Sequence, residues 1–112
     1  MFAKRAVKRI HLVYYLLVFD AKAEKLLGHV VDITTDGMKL MSKDPITPGT
    51  VFQFRMALPD EIGSSKEINF EAKSVWSKSN LYSDFFGTGF TFEKISDEDV
   101  AIIRKLIDKF GY

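Results

Sequence analysis

The stretch from Val30 to Leu40, VVDITTDGMKL, decides the fold because it contains two extended runs joined by a turn signal. β-Branched residues fill its first half and favour a strand. The dipeptide Asp36-Gly37 is typical of a tight hairpin turn, where glycine accepts a positive φ. We therefore predict an antiparallel hairpin with one strand over 26–35 and the next over 38–42.

Strand signals recur on both sides of this hairpin. One apolar run precedes it and three extended runs follow it, at 10–19, 52–58, 68–76 and 85–92. The middle two alternate between apolar and polar residues, as a half-buried strand does. Gly87 and Gly89 within the last run indicate a bulge or a close backbone approach. Six strands hide their edges best by closing, so we predict an all-β fold built as a six-stranded antiparallel β-barrel.

The C-terminal segment has a different pattern. Ser96 is placed as the N-cap of a helix whose first turn holds three acidic residues, which suit the helix dipole. Apolar residues then recur at helical spacing, and Gly111 is placed to end the helix. We expect this helix, from about residue 96, to cover one opening of the barrel.

Composition limits the possible functions. With 112 residues and 46% hydrophobic content, the chain is expected to form a flexible basic arm over 1–9 and one barrel domain over 10–112. The net charge of +1 gives no global attraction to nucleic acid polymers or membranes, so any anion site has to be local. The absence of cysteine and of a secretory signal leads us to expect a cytoplasmic protein.

Two of the four arginines, Arg5 and Arg9, lie close together near the start, next to Lys4 and Lys8. The planar guanidinium group pairs bidentately with phosphate or with a guanine edge, which an ammonium group cannot do. The spacing therefore suggests recognition of a shaped anion. The alternative is a basic terminus whose arginines only aid solubility.

A second motif lies at the end of the second predicted strand. Asp32 and Thr34 are expected to project from the same face, and Gly37 follows with a flexible backbone. A carboxylate, a hydroxyl and an accessible backbone could together bind the edge of a ligand. The alternative is an ordinary hairpin corner in which Thr34 and Asp36 bond to the local backbone.

Taken together, the two motifs resemble the signature of the PilZ domain family, Arg-x-x-x-Arg followed by Asp/Asn-x-Ser-x-x-Gly. The first motif occupies 5–9 and the second 32–37, with Thr34 where the family usually has Ser. The segment 87–92 looks like the Gly-x-x-Phe ending of the family's last strand. The resemblance covers nearly all of the chain.

This resemblance implies a PilZ-like barrel that binds cyclic di-GMP on its outer surface, often as an intercalated pair of ligands. The ligand-binding residues carried over from the family are Arg5, Arg9, Asp32, Thr34 and Gly37. The arginines would hold phosphates and guanine edges, while the carboxylate and the hydroxyl would hydrogen-bond a guanine. Guanine offers acceptors that suit arginine and donors that suit a carboxylate. Lys4 and Lys8 would be auxiliary phosphate contacts, and the methyl group of Thr34 is expected to weaken binding or leave it unchanged.

The family further implies a bacterial second-messenger receptor that changes its surface on binding nucleotide and acts on an unidentified effector protein. Motility, pilus or biofilm processes are the expected targets. The alternative is a PilZ-like protein-interaction adaptor that does not bind nucleotide.

Other functions find little support in the sequence. Neither a nucleophile and base pair nor a phosphate-binding glycine loop occurs, so we expect no enzyme and no cofactor. His11 and His29 do not have metal-ligand spacing. A base-stacking surface of aromatic residues is conceivable, but at strand spacing most of them are predicted to be core: Trp76, Phe85, Phe86, Phe90 and Phe92.

Overall fold

The structure is a computed structural model that describes residues 10–63, 65–80 and 83–111, with only the backbone described for 10–15. The predicted arm over 1–9, with Arg5, Arg9, Lys4 and Lys8, lies outside the described residues. All other candidate site residues lie within them.

Six strands and one helix make up the fold. The strands are β1 Ile10–Asp20, β2 Lys25–Ile33, β3 Gly37–Ser42, β4 Val51–Ala57, β5 Glu67–Ser79 and β6 Phe86–Lys94, and the helix is α1 Asp97–Phe110. A single 3₁₀ turn, Asp60–Ile62, lies in the loop between β4 and β5. The strands form a closed barrel in the order β1-β2-β3-β6-β5-β4, with every neighbouring pair antiparallel. The predicted six-stranded antiparallel barrel with a C-terminal helix is confirmed.

The pairing of β3 with β6 brings distant parts of the chain together. Six consecutive residue pairs join these strands, from Gly37 opposite Thr91 to Ser42 opposite Phe86. The second motif and the two glycines of the last strand are thereby placed on adjacent strands.

The core fills the barrel with inward-facing apolar side chains. Phe54 lies at its centre, with its ring centroid 5.1 Å from that of Phe90 and 5.8 Å from that of Phe70. Ile103 and Leu106 of α1 are fully buried in the same cluster, so the helix covers the barrel interior as expected. Of the aromatic residues predicted to be core, Phe90 is buried and Phe92 packs against the core, whereas Phe85 and Phe86 are only partly buried.

The helix ends match the predicted signals. The Ser96 side chain accepts a hydrogen bond from the Asp99 N–H at 3.1 Å, which satisfies one of the unpaired donors of the first turn. Gly111 caps the other end, and its N–H donates to the Ile107 carbonyl at 2.9 Å. Residues other than glycine also adopt its φ of −85°, so the helix ends there without a glycine in the left-handed conformation.

Gly37 corrects one detail of the prediction. It is the first residue of β3 and does not have a positive φ. A Cβ at this position would collide with the carbonyl oxygen of Phe90 on β6. Glycine is required here because two strands approach closely, and the expected positive φ was wrong.

Candidate ligand-binding face

A β-bulge turns Asp32 toward the outside of the barrel. Three pairs define the register around the extra residue Val31: Val30 with Leu40, Asp32 with Lys39, and Ile33 with Met38. Leu40 and Met38 point into the core, and Lys39 between them points outward. Because directly opposite residues share a face, Asp32 lies on the outer face with Lys39. It is nevertheless only 3% exposed.

A second bulge has the same effect on Trp76. Ser74 pairs with the inward-facing Phe90, and Trp76 pairs with Gly89, so that Val75 is the extra residue. The indole ring lies against Gly89 on the outer face, where a Cβ on that glycine would collide with it. The prediction that Trp76 belongs to the core was therefore wrong, because the bulge reverses the alternation after Ser74.

The two bulges place four residues in one row across four adjacent strands. The row runs from Asp32 on β2 through Lys39 on β3 and Gly89 on β6 to Trp76 on β5. With strands about 4.8 Å apart, the row extends over roughly 14 Å of the outer face. A carboxylate and an aromatic ring thus stand at opposite ends of one continuous surface.

A groove of about 660 Å³ lies at the aromatic end of this row, which we call the Trp76 groove. Its lining residues are Lys39, Met41, Trp76, Lys78, Ser79, Asn80 and Gly87. Both charged residues among the described part of the lining are lysines, and each ammonium nitrogen is 5.9 Å from the centroid of the Trp76 ring. Such a distance permits a cation–π attraction. The groove therefore combines an aromatic surface with positive charge.

Gly87 helps to keep the groove open. A Cβ at this position would lie 3.1 Å from Cε of Lys39 and 3.6 Å from Sδ of Met41. The glycine therefore leaves room that these two side chains and the groove share.

The hydroxyl group of Thr34 is used by the turn after β2. It accepts hydrogen bonds from the N–H groups of Asp36 at 3.0 Å and Gly37 at 3.2 Å. The backbone N–H of Thr34 also donates to the carbonyl of Gly37 at 2.9 Å. Thr34 therefore makes the bonds to the local backbone that an ordinary hairpin corner would have. Asp36 is exposed.

The start of β1 lies at the same corner of the barrel. Ile10 pairs with Ile33 and His11 pairs with Asp32, so the described chain begins next to the second motif. In the sequence, Arg9 directly precedes Ile10. The structure brings Asp32, Thr34 and Gly37 together at one corner, while Arg5 and Arg9 lie outside the described residues.

His29 lies one row away from Asp32 on β2, opposite Leu17 and Met41. Its ring packs edge-on against Phe85, with centroids 6.4 Å apart. Burial lowers the pKa of His29 from its usual value of 6.5, because the charged form loses hydration. The strand partner of His29, Met41, lines the Trp76 groove.

The sequence did not point to Lys39, Met41 or Lys78, and it assigned Trp76 to the core. The usable signal was the pair Gly87 and Gly89, which indicated a close approach without saying what approaches. Sequence alternation cannot show that a bulge turns Trp76 onto those glycines.

Two general features of the described residues complete the picture. Within the described ranges, no group of three or more His, Cys, Asp or Glu side chains is arranged to hold a metal ion. Among these residues, no helix is both long enough and apolar enough to span a membrane.

This architecture is a small closed β-barrel with a helix over its core and a polar and aromatic outer face. The PilZ domain family matches residues 3–109. The chain belongs to the PilZ domain family. No curated protein matches it.

Solved structures share the fold at low identity. The inhibitor of motility MotI/DgrA of Bacillus subtilis is 17% identical, with a TM-score of 0.74 over 96% of this chain and 51% of its own. The complex of K. pneumonia MrkH with c-di-GMP is 17% identical, with a TM-score of 0.75 over 95% of this chain and 52% of its own. The PilZ domain of Escherichia coli YcgR with c-di-GMP is 14% identical, with a TM-score of 0.66 over 95% of this chain and 91% of its own. The chain thus spans about half the length of the first two proteins.

Proposed function

We propose that this chain is a receptor for cyclic di-GMP that binds the nucleotide on the outer face of its barrel and performs no catalysis itself. Family membership supports this ligand, and two of the structures that share the fold contain c-di-GMP. The proposed ligand-binding residues are Arg5, Arg9, Asp32, Thr34 and Gly37, with Lys4 and Lys8 as auxiliary phosphate contacts.

One observation carries most of the proposal: β1 begins beside the second signature motif, and the first motif directly precedes β1 in the sequence. The pairing of Ile10 with Ile33 and of His11 with Asp32 starts β1 beside the turn that holds Thr34 and Gly37. Guanidinium groups just ahead of β1 and a carboxylate at Asp32 offer complementary donors and acceptors for a guanine and its phosphate.

The burial of Asp32 supports a change of the surface on binding. Its side chain lies on the outer face but is 3% exposed, so a nucleotide reaches it only if the covering groups move. Binding would then rearrange this corner and alter the surface that an effector protein contacts. Ordering several residues costs roughly 1–2 kcal/mol each, which charge-assisted hydrogen bonds have to offset.

We expect the receptor to act in the bacterial cytoplasm. The process that it controls is proposed to be motility, pilus function or biofilm formation. The name of MotI/DgrA, an inhibitor of motility, supports the first of these. The effector is proposed to be a protein, because the net charge of +1 gives no field that would attract a nucleic acid polymer or a membrane.

Titration calorimetry tests the proposal. The wild-type chain should bind cyclic di-GMP and should not bind cyclic di-AMP or GTP comparably. Arg9→Ala should abolish detectable binding and leave the melting temperature unchanged. Arg104→Ala is the matched control, since it removes a guanidinium group from the exposed side of α1.

Normal binding by the Arg9→Ala variant would refute the assignment of the arginines. A stable wild-type chain that binds no cyclic di-GMP would favour the adaptor alternative, in which the barrel contacts proteins without nucleotide.

A further inference from the structure

We infer that Thr34 is a positioning residue, which acts on the ligand through the turn after β2 and makes no hydrogen bond to the nucleotide itself. This inference specifies how one of the proposed ligand-binding residues acts, so it rests on the proposed function. It departs from the role that the resemblance to the family implies, in which the hydroxyl group bonds a guanine.

All three bonding positions of the Thr34 hydroxyl group are used within the turn. A threonine hydroxyl has one hydrogen to donate and two lone pairs that accept. The lone pairs accept from the N–H groups of Asp36 at 3.0 Å and Gly37 at 3.2 Å. The hydrogen is donated to the carbonyl oxygen of Gly37, 3.4 Å away. A guanine could therefore use this hydroxyl only by breaking a bond that holds the turn.

The turn that Thr34 organises is also tied to the neighbouring strand. The N–H of Phe92 on β6 donates to the carbonyl of Asp36 at 2.9 Å, and Gly37 begins β3 opposite Thr91 of β6. The bonds of the Thr34 hydroxyl therefore belong to a network that fixes where β2 ends and where β3 begins.

This network determines the position of Asp32. Asp32 and Ile33 are the last two residues of β2 before the turn, and they pair with His11 and Ile10 at the start of β1. A loosened turn would let this corner move, together with the carboxylate that is proposed to bind guanine. A corner that is fixed before the ligand arrives lowers the entropic cost of binding.

Calorimetry and thermal unfolding of the full chain test the role of the hydroxyl group. Thr34→Val keeps the shape of the side chain and removes the hydroxyl. Its melting temperature should fall by roughly 4–8 °C, as expected for the loss of turn hydrogen bonds. Binding of cyclic di-GMP should weaken by roughly 5- to 30-fold. Thr34→Ser should match the wild type in both measurements. Thr47→Val, an exposed residue in the loop after the other end of β3, is the matched control and should also match the wild type.

Three analogues of cyclic di-GMP separate positioning from direct contact. The inosine analogue lacks the 2-amino group, the 2-aminopurine analogue lacks O6 and the N1 hydrogen, and the 7-deazaguanine analogue lacks N7, so the polar atoms of both guanine edges are removed in turn. Thr34→Val should weaken the binding of all four ligands by the same factor, because the turn acts on the whole corner. A hydrogen bond from Thr34 to guanine would give a smaller factor for the analogue that lacks the bonded atom.

Hydrogen exchange followed by NMR reports on the turn directly. The amide protons of Asp36 and Gly37 should exchange more slowly in the wild type than in Thr34→Val, both with and without cyclic di-GMP. If Thr34→Val does not fold, the exchange of these two protons in the free and the nucleotide-bound wild type still decides the question.

Two kinds of negative result are distinguishable. The inference alone would be overturned if nucleotide binding removed the protection of these two amides, if the Thr34→Val factor became smaller for one analogue, or if Thr34→Val bound cyclic di-GMP like the wild type. A wild-type chain that binds no cyclic di-GMP would overturn the proposed function, and this inference with it.

Discussion

Replacing Gly37 with alanine should destabilise the barrel, because the new methyl group would collide with the backbone of β6. The obstacle is the carbonyl oxygen of Phe90, which cannot move without disturbing the ladder between β3 and β6. Overpacking of this kind costs about 1–3 kcal/mol. For a domain of this size, 1 kcal/mol corresponds to about 4 °C, so we expect the melting temperature to fall by roughly 4–12 °C.

Gly87→Ala is the matched control for this substitution. Both glycines lie in strands without a positive φ, but the methyl group at 87 would meet side-chain atoms and no backbone: the flexible end of Lys39 at 3.1 Å and Sδ of Met41 at 3.6 Å. Since alanine also restricts the unfolded chain, by about 0.4–1 kcal/mol, we expect an unchanged or slightly higher melting temperature.

Thermal unfolding followed by circular dichroism measures both variants. Equal melting temperatures for the two variants would refute the explanation of Gly37 by close strand approach. A stable Gly37→Ala variant that fails to bind cyclic di-GMP would instead assign this glycine to the ligand alone.

Two further predictions concern stability. Ser74→Ala should lower the free energy of unfolding by about 1–3 kcal/mol in urea, because the buried hydroxyl accepts from the Thr50 N–H at 3.0 Å and donates to the Thr47 carbonyl at 2.8 Å. The same loss on replacing the exposed Ser79 by alanine would contradict this role. Burial lowers the pKa of His29 below 6.5, so as the pH falls His29 is protonated in the unfolded chain before it is protonated in the folded chain. The contribution of His29 to the free energy of unfolding is therefore complete above pH 6.5 and decreases as the pH falls below that value. Urea unfolding of His29→Asn should show a smaller decrease over this range than the wild type, and parallel curves for the two proteins would contradict the assignment.

Much of the fold could be predicted because the signals were local and consistent. The alternation over β4 and β5, the turn at Asp36-Gly37 and the cap at Ser96 each act within a few residues. The strand order could not be derived in this way, since the pairing of β3 with β6 depends on contacts between residues far apart in sequence.

The candidate site was harder to predict than the fold because bulges decide which side chains face outward. One extra residue reverses the alternation, as Val75 does for Trp76. Nothing in the composition of β5 shows where this residue is inserted. The resemblance to a family supplied Asp32 and Thr34, but the family signature does not contain Lys39, Lys78 or Trp76.

The closure of the barrel rests on a short seam. Only three residue pairs join β1 to β4 among the described residues: Val18 with Met56, Phe19 with Arg55, and Asp20 with Phe54. The same β1 begins at the corner of Asp32, where it follows the arginine-bearing segment directly in sequence. A force applied to the residues before β1 would therefore be transmitted along this strand to the pairing of β1 with β4, the shortest strand pairing among the described residues. When a ligand binds at the corner of Asp32, amide protons in the pairing of β1 with β4 should be the first to exchange more slowly with solvent.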